Sequence, residues 1–338
     1  MLFIISFGYA QLPLPKANRI LSIDITMADG NDFDKAFEIA KEAGMQATNL
    51  SITWDEFETS PNSFEPETNY LELANDYYPA KNTKISLMLG FIDSNNLRLP
   101  SDLKNEKLDS PILIKRFEAF IDYAMSQVAD LELSSLAINN EIDIFLGENE
   151  TLWQQYSNFY QKISKYLRLN YPDIKFGSKI TYDGLLGFAK EQAKALNTFS
   201  DLIMLTYYPI KEDFSVRDPK EVAIDFANIV KQYPDKEIYI LEAGYPSSSI
   251  LASSEEKQAE FVKEVFKAWD IQVEHIKLID FLWLHDLPPE ALTYYGRYYG
   301  LDSKLFLAFI SSLGLRTFNG EDKPAFKMLL SEAKARAW

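Results

Sequence analysis

Leu136-Ala137-Ile138-Asn139-Asn140-Glu141 and Ile238-Tyr239-Ile240-Leu241-Glu242-Ala243-Gly244-Tyr245-Pro246 decide how this chain is read. Each is an apolar, strand-like run that reaches a glutamate at its polar end, and about a hundred residues separate the two acids. A carboxylate at the end of a hydrophobic strand is costly to bury unless solvent, a partner or a reaction holds it there. Two of them, in a chain that otherwise alternates strands with helices, predict a paired-carboxylate site on an α/β barrel.

Outward from these two segments the alternation can be counted. Strand-like runs cover 19–25, 47–54, 84–92, 133–139, 175–181, 201–207, 237–241 and 276–283. Helical patterns follow each of them, at 32–44, 70–78, 111–131, 150–170, 188–199, 219–232, 253–269 and 323–336. Asp109-Ser110-Pro111 and Ser253-Ser254-Glu255-Glu256 are helix-start signals, with proline suited to a first turn and serine to a cap. Eight strands, each followed by a helix, predict one (β/α)8 TIM barrel over residues 17–338. A doubly wound open sheet would carry a glycine-rich phosphate turn after its first strand, and Asp24-Ile25-Thr26-Met27 has none.

Composition fits a single large barrel. The chain has 338 residues, 47% of them hydrophobic, with 23 Phe, 19 Tyr and 5 Trp. Its net charge of −16 and lack of a basic patch argue against a nucleic-acid partner. There is no cysteine, which excludes disulfides and thiolate metal sites, and His275 and His285 are the only histidines. No cofactor and no metal are therefore expected. The run Leu2-Phe3-Ile4-Ile5-Ser6-Phe7 before Gly8 and Ala10 reads as the remnant of a signal peptide at 1–10, although it lacks a charged start. An apolar arm on the barrel floor is the alternative. The run is too short to span a bilayer, and a secreted or periplasmic monomer is expected.

The active site of such barrels is built at the carboxyl ends of the strands. Read in order, those ends carry Asp24, Trp54 with Glu56 and Glu58, Asp93, Asn140 with Glu141 and Asp143, and Asp183. Tyr207 and Tyr208, Glu242 with Tyr245, and Trp283 with His285 and Asp286 complete the ring. The mouth is expected to be acidic, aromatic and nearly free of cations, which suits a neutral sugar and not a phosphate. The Tyr294-Tyr295-Gly296-Arg297-Tyr298-Tyr299-Gly300 stretch falls in the long connection after the eighth strand, where it either lines the cleft or packs on itself.

Asn140-Glu141 ending the fourth strand and Glu242 ending the seventh resemble the signature of glycoside hydrolase clan A. Leu205-Thr206-Tyr207-Tyr208-Pro209 and Leu241-Glu242-Ala243-Gly244-Tyr245-Pro246 are similar to segments of arabinogalactan endo-β-1,4-galactanases and β-mannanase-like members. The resemblance implies that Glu141 is the acid/base, that Asn140 binds the sugar 2-hydroxyl, that Glu242 is the nucleophile and that Trp283 is a sugar platform. It also implies retaining hydrolysis of a neutral β-linked polysaccharide or oligosaccharide, and endo action is expected. Tyr207 or Tyr208 is expected to donate to Glu242, with Tyr207 preferred; the two alternate faces of a strand, so only one of them can.

Bland readings stand beside these. Trp54, Trp283 and His285, expected at the substrate, are also residues that pack or hydrogen-bond inside a barrel, and Tyr245 is expected at the substrate. Asp183 is expected to bind hydroxyls or to remain a solvated acid. A catalytically silent glycan-binding barrel with the same aromatic cleft is the alternative function, and a carboxylate metal site is a remote third.

Overall fold

Strands that are apolar on both faces form a sheet covered on both sides, as parallel sheets are. In the computed structural model, which describes residues 13–338, that sheet rolls up. The run at 1–10 and its expected cleavage site lie outside the described residues. The barrel strands are β1 (Ile20–Ile23), β2 (Ala47–Thr53), β3 (Lys84–Asp93), β4 (Leu133–Asn140), β5 (Phe176–Gly177), β6 (Lys179–Thr181), β7 (Leu202–Tyr207), β8 (Glu237–Ala243) and β9 (Ile276–Phe281). They are parallel, in the order β5-β4-β3-β2-β1-β9-β8-β7-β6. A two-residue strand, Asn96–Leu97, is added antiparallel to β3.

β5 and β6 together are the fifth stave of a (β/α)8 barrel, interrupted at Ser178, so β8 is the seventh stave. Side chains close the seam that this break leaves. Ser178 Oγ donates to the Ile138 carbonyl at 2.9 Å, and Thr181 donates its amide and its hydroxyl to Asp143 at 2.9 and 2.6 Å. Ala47, Met88, Ala137, Leu202, Met204, Tyr239, Leu241 and Leu278 fill the barrel interior. A larger apolar layer lies between the staves and the helices around them.

Helices follow where caps and periodicity place them. Asp32, Ser110 and Ser254 each accept a hydrogen bond from the amide three residues on, starting Phe33–Glu42, Pro111–Gln127 and Glu255–Ile271. Five α-helices were not expected. Trp54–Phe57, Ile142–Leu146 and Tyr182–Leu186 are short turns after the second, fourth and fifth staves. Pro289–Tyr299 and Lys304–Ser311 fold within the connection after β9 and stand over the mouth. β9 also ends earlier than the expected strand, at Phe281, and the Leu282–Trp283 peptide beyond it is cis.

Candidate active site

The turn that presents Glu141 is built by its neighbour. Asn139 sits in the left-handed region (φ 65°), and its Oδ1 accepts the amides of Phe91 and Ile92 at 2.6 and 2.8 Å. These bonds replace strand pairing where the β3–β4 register shifts. Gly90 leaves room for this, since a Cβ there would lie 2.9 Å from Asn139 Cα and Oδ1. Glu141 is also left-handed (φ 45°) and heads the short Ile142–Leu146 helix.

Both carboxylate oxygens of Glu141 accept hydroxyl donors, Oε1 from Thr206 at 2.7 Å and Oε2 from Ser94 at 2.5 Å. Burial, reinforced by the charge of Glu242, pushes its pKa from 4.5 up to about 7, against the pull of the two hydroxyls.

Glu242 has different company. Lys179 donates to its Oε1 and Tyr208 to its Oε2, both at 2.7 Å. Burial would lower the pKa of Lys179, but the adjacent Glu242 outweighs it and the net shift is upward, so the ammonium keeps its charge. The Tyr208 hydroxyl is pushed well above its ordinary value by burial and by the two glutamates, so it remains a donor. Gly244 makes this contact possible, because a Cβ there would lie 2.6 Å from Tyr208 Cε1. Thr206 pairs in register with Glu242 on β8 and donates to Glu141 on the other side, so one residue stands between the two acids.

Around this pair is a cavity of about 1110 Å³, whose lining includes Glu141, Glu242, Asn140, Asp24, Asp93 and Trp283. Asn140 donates to Asp93 at 2.7 Å, while its own Oδ1 is buried without a hydrogen-bond partner among the described residues. The Tyr298 hydroxyl donates to the other oxygen of Asp93. Burial and the Glu242 charge push Asp24 up to about 7, against Lys179 and the Trp283 indole. Below it Asp280 is fully buried, accepts from Asn49 at 2.8 Å, and is pushed well above its ordinary value by burial and by Asp24. Trp283 stacks on Tyr295 at 6.1 Å, and Tyr295 on Tyr299 at 6.1 Å, so the 294–300 stretch both lines the cavity and packs on itself.

Of the residues expected at the substrate, Asn140, Asp183 and Trp283 line the same cavity as the two glutamates. Four do not. Tyr207 points away from Glu242, buried against Phe226, and donates to Asp225 at 2.7 Å; the register puts Tyr208 on the inner face instead. Tyr245 is buried beside Phe261 and donates to the Arg217 carbonyl. Trp54 is buried between Phe117 and Phe120, its indole donating to Glu58 at 2.6 Å. His285 is buried too: its Nε2 accepts from Arg316, which leaves Nδ1 to donate to the Thr26 carbonyl, and burial lowers its pKa. The expectation of a mouth nearly free of cations also needs correction. Lys179 is ion-paired with Glu242, and Arg98 lines the cavity beside Tyr298.

Lys179, Ser94 and Thr206 are the positions that motif reading passed over, while Tyr208 was the second choice to Tyr207 as the donor to Glu242. Strand alternation carried a signal for Lys179, since it places this residue on the same face as Gly177 and Thr181. Among the described residues no group of three His, Cys, Asp or Glu side chains is arranged to hold a metal ion. None of the described helices is long and apolar enough to cross a membrane.

The fold is that of the glycoside-hydrolase barrels which the Asn140-Glu141 and Glu242 segments resemble. An exo-β-1,4-mannosidase from Opitutaceae bacterium strain TAV5 superposes with a TM-score of 0.72 at 14% identity, over 97% of this chain and 62% of that one. The chain thus spans less than two thirds of that mannosidase. A GH5_18 protein from Streptomyces cattleya, in complex with Manβ1-4GlcNAc, gives 0.71 at 14% identity, over 94% of this chain and 80% of that one. A family 39 glycoside hydrolase from Bacteroides cellulosilyticus WH2 gives 0.60 at 13% identity, over 96% and 66%. At these identities the likeness is one of fold. No family model matches the sequence, and no curated protein matches it.

Proposed function

We propose that this chain is a retaining β-glycosidase. The observation that carries the reading is the unlike surroundings of two acids on either side of Thr206: Glu141 holds a proton near neutrality, and Glu242 is a carboxylate beside an ammonium and a phenol. In the first step a Glu242 oxygen attacks the anomeric carbon while Glu141 gives its proton to the departing oxygen. In the second step Glu141 takes a proton from water, whose oxygen attacks the same carbon and releases Glu242. Retention of configuration requires carboxyl groups roughly 5–5.5 Å apart, as against about 6.5–9.5 Å for inversion.

The glycone is a neutral sugar. Asn140 Oδ1 is an acceptor in need of a donor, and Trp283 with Tyr295 offers an aromatic face. The Manβ1-4GlcNAc bound to the Streptomyces cattleya protein makes β-mannosides the first to try. Internal cleavage of a polysaccharide, the expectation from sequence, is one of two outcomes of product analysis: intermediate oligosaccharides mark it, and release of a single sugar marks terminal action. A secreted or periplasmic, monomeric protein is part of this reading, checked by cell fractionation and light scattering.

Turnover of a panel of β-glycosides by wild type, Glu141→Gln and Glu242→Gln tests the assignment. Loss of the general acid is expected to cost about 10²- to 10⁴-fold, and loss of the nucleophile at least as much. Undiminished turnover in either variant overturns the roles. Binding of β-glycans by wild type without any turnover supports the silent glycan-binding barrel instead.

A further inference from the structure

We propose that the leaving-group side of this site takes an apolar aglycone, alkyl or aryl, in place of a further sugar. The inference rests on the glycosidase reading, because it is Glu141 that marks which side the leaving group occupies. A proton donor must stand beside the departing oxygen, so the departing group lies over the loop that follows Glu141 and the loops after the fifth stave and the sixth, whose Thr206 donates to Glu141. Those loops carry Ile144, Phe188, Ile210 and Phe214, and the Lys304–Ser311 helix adds Phe309; all line the same cavity as Glu141. Ile144 is three residues after Glu141, on the helix that Glu141 heads.

This wall is continuous with the catalytic groups and unlike the polar part of the lining. Phe214 packs on Phe309 at 5.5 Å, and Phe309 meets Tyr208, the donor to Glu242, edge-on at 5.4 Å. Other lining residues, Asp24, Asp93, Asn140 and Tyr298, offer the acceptors and donors that sugar hydroxyls need. Branched aliphatic side chains offer none. Ile144 is 46% exposed and Phe188 is 51% exposed, so apolar surface is left in water that a ligand would cover. Asp183, Lys211 and Glu212 share this rim, but they are exposed and stay hydrated when the wall beside them is filled.

The test compares octyl and methyl β-glycosides of mannose, glucose and galactose, below the micellar concentration of the octyl compounds. Oxygen glycosides report turnover, and the hydrolysis-resistant sulfur glycosides report binding by calorimetry. Each buried methylene adds about fourfold in affinity, so the octyl thioglycoside of the accepted sugar is expected to bind at least about tenfold tighter than the methyl one. In the Ile144→Ser/Phe188→Ser double variant that ratio should fall below about threefold. Leu169→Ser, at an 80% exposed position on the Glu150–Asn170 helix, should leave it unchanged. Equal affinity for the two chain lengths, no measurable octyl binding, or a higher kcat/KM for the same sugar joined to a second sugar overturns the proposal. Chain-length-dependent binding with no turnover means that the apolar site stands and the glycosidase reading falls. Turnover indifferent to chain length means the reverse.

Discussion

Glu141 and Glu242 are one residue type made different by their neighbours. Glu141 is pushed to about 7, so kcat/KM should fall as pH rises through about 7, where the acid form disappears. The same shift acts on stability. Between 4.5 and about 7 the native protein holds a proton that the unfolded chain has lost, so this group's contribution to stability declines as pH rises through that window. Glu141→Gln removes the penalty. Its melting temperature relative to wild type should therefore be more favourable at pH 8 than at pH 5, and a difference independent of pH contradicts the shift. Lys179→Met leaves Glu242 without its cation, and an unpaired buried charge costs about 3–5 kcal/mol. We expect a fall in kcat of at least about a hundredfold, with KM changed less. A kcat like that of wild type would show that Lys179 does not act through Glu242. The two glutamates were legible in the sequence because each closes an apolar run. Tyr208 was not separable from Tyr207, since a shift of one residue in register exchanges their faces. Lys179 was missed because a lysine in a short strand usually reaches solvent, as Lys175 does toward Glu237.

At the scale of elements, backbone room decides where side chains reach. Gly244→Ala would drive a methyl group into the Tyr208 ring, so the ring must move away from Glu242. A hydrogen bond to a charged group is worth about 1.5–3 kcal/mol, and kcat is expected to fall about 10- to 100-fold while the melting temperature changes little. Tyr208→Phe should match it, and a Gly244→Ala enzyme with wild-type kcat would mean the ring is not held through this gap. The eight barrel helices were readable because their signals are local: a cap at Asp32, Ser110 or Ser254, then an apolar stripe. The Pro289–Tyr299 helix carried such signals too, with proline at its first turn and Gly300 left-handed (φ 65°) at its end. Its run of tyrosines masked them, since aromatic density reads equally as loop. The break at Ser178 had no sequence mark, because seam closure by Ser178 and Asp143 is a long-range event.

For the whole molecule, the end of the barrel away from the mouth is tied by ions. Asp270 accepts from Arg19 and Arg336, both buried, at 2.8 and 2.7 Å, and Trp269 and Trp338 stack beside them at 5.0 Å. These contacts join the residues before β1 to the last helix. Asp270→Asn leaves two guanidinium groups without their counter-charge, with an expected loss of about 3–5 kcal/mol in urea unfolding. Activity at 25 °C should be retained, because none of these residues lines the cavity. An unchanged unfolding midpoint would show that the triad does not hold the barrel closed. The count of eight strand–helix units made the barrel legible, whereas this triad joins positions that no local pattern links.

The most direct test of the central claim is to trap the glycosyl-enzyme. After incubation with 2-deoxy-2-fluoro β-glycosides bearing a dinitrophenyl leaving group, proteolysis and mass spectrometry locate the label. A fluorosugar ester on the peptide containing Glu242, absent from Glu242→Gln, is the predicted result. A label on another residue, or no label together with product of inverted anomeric configuration, contradicts it.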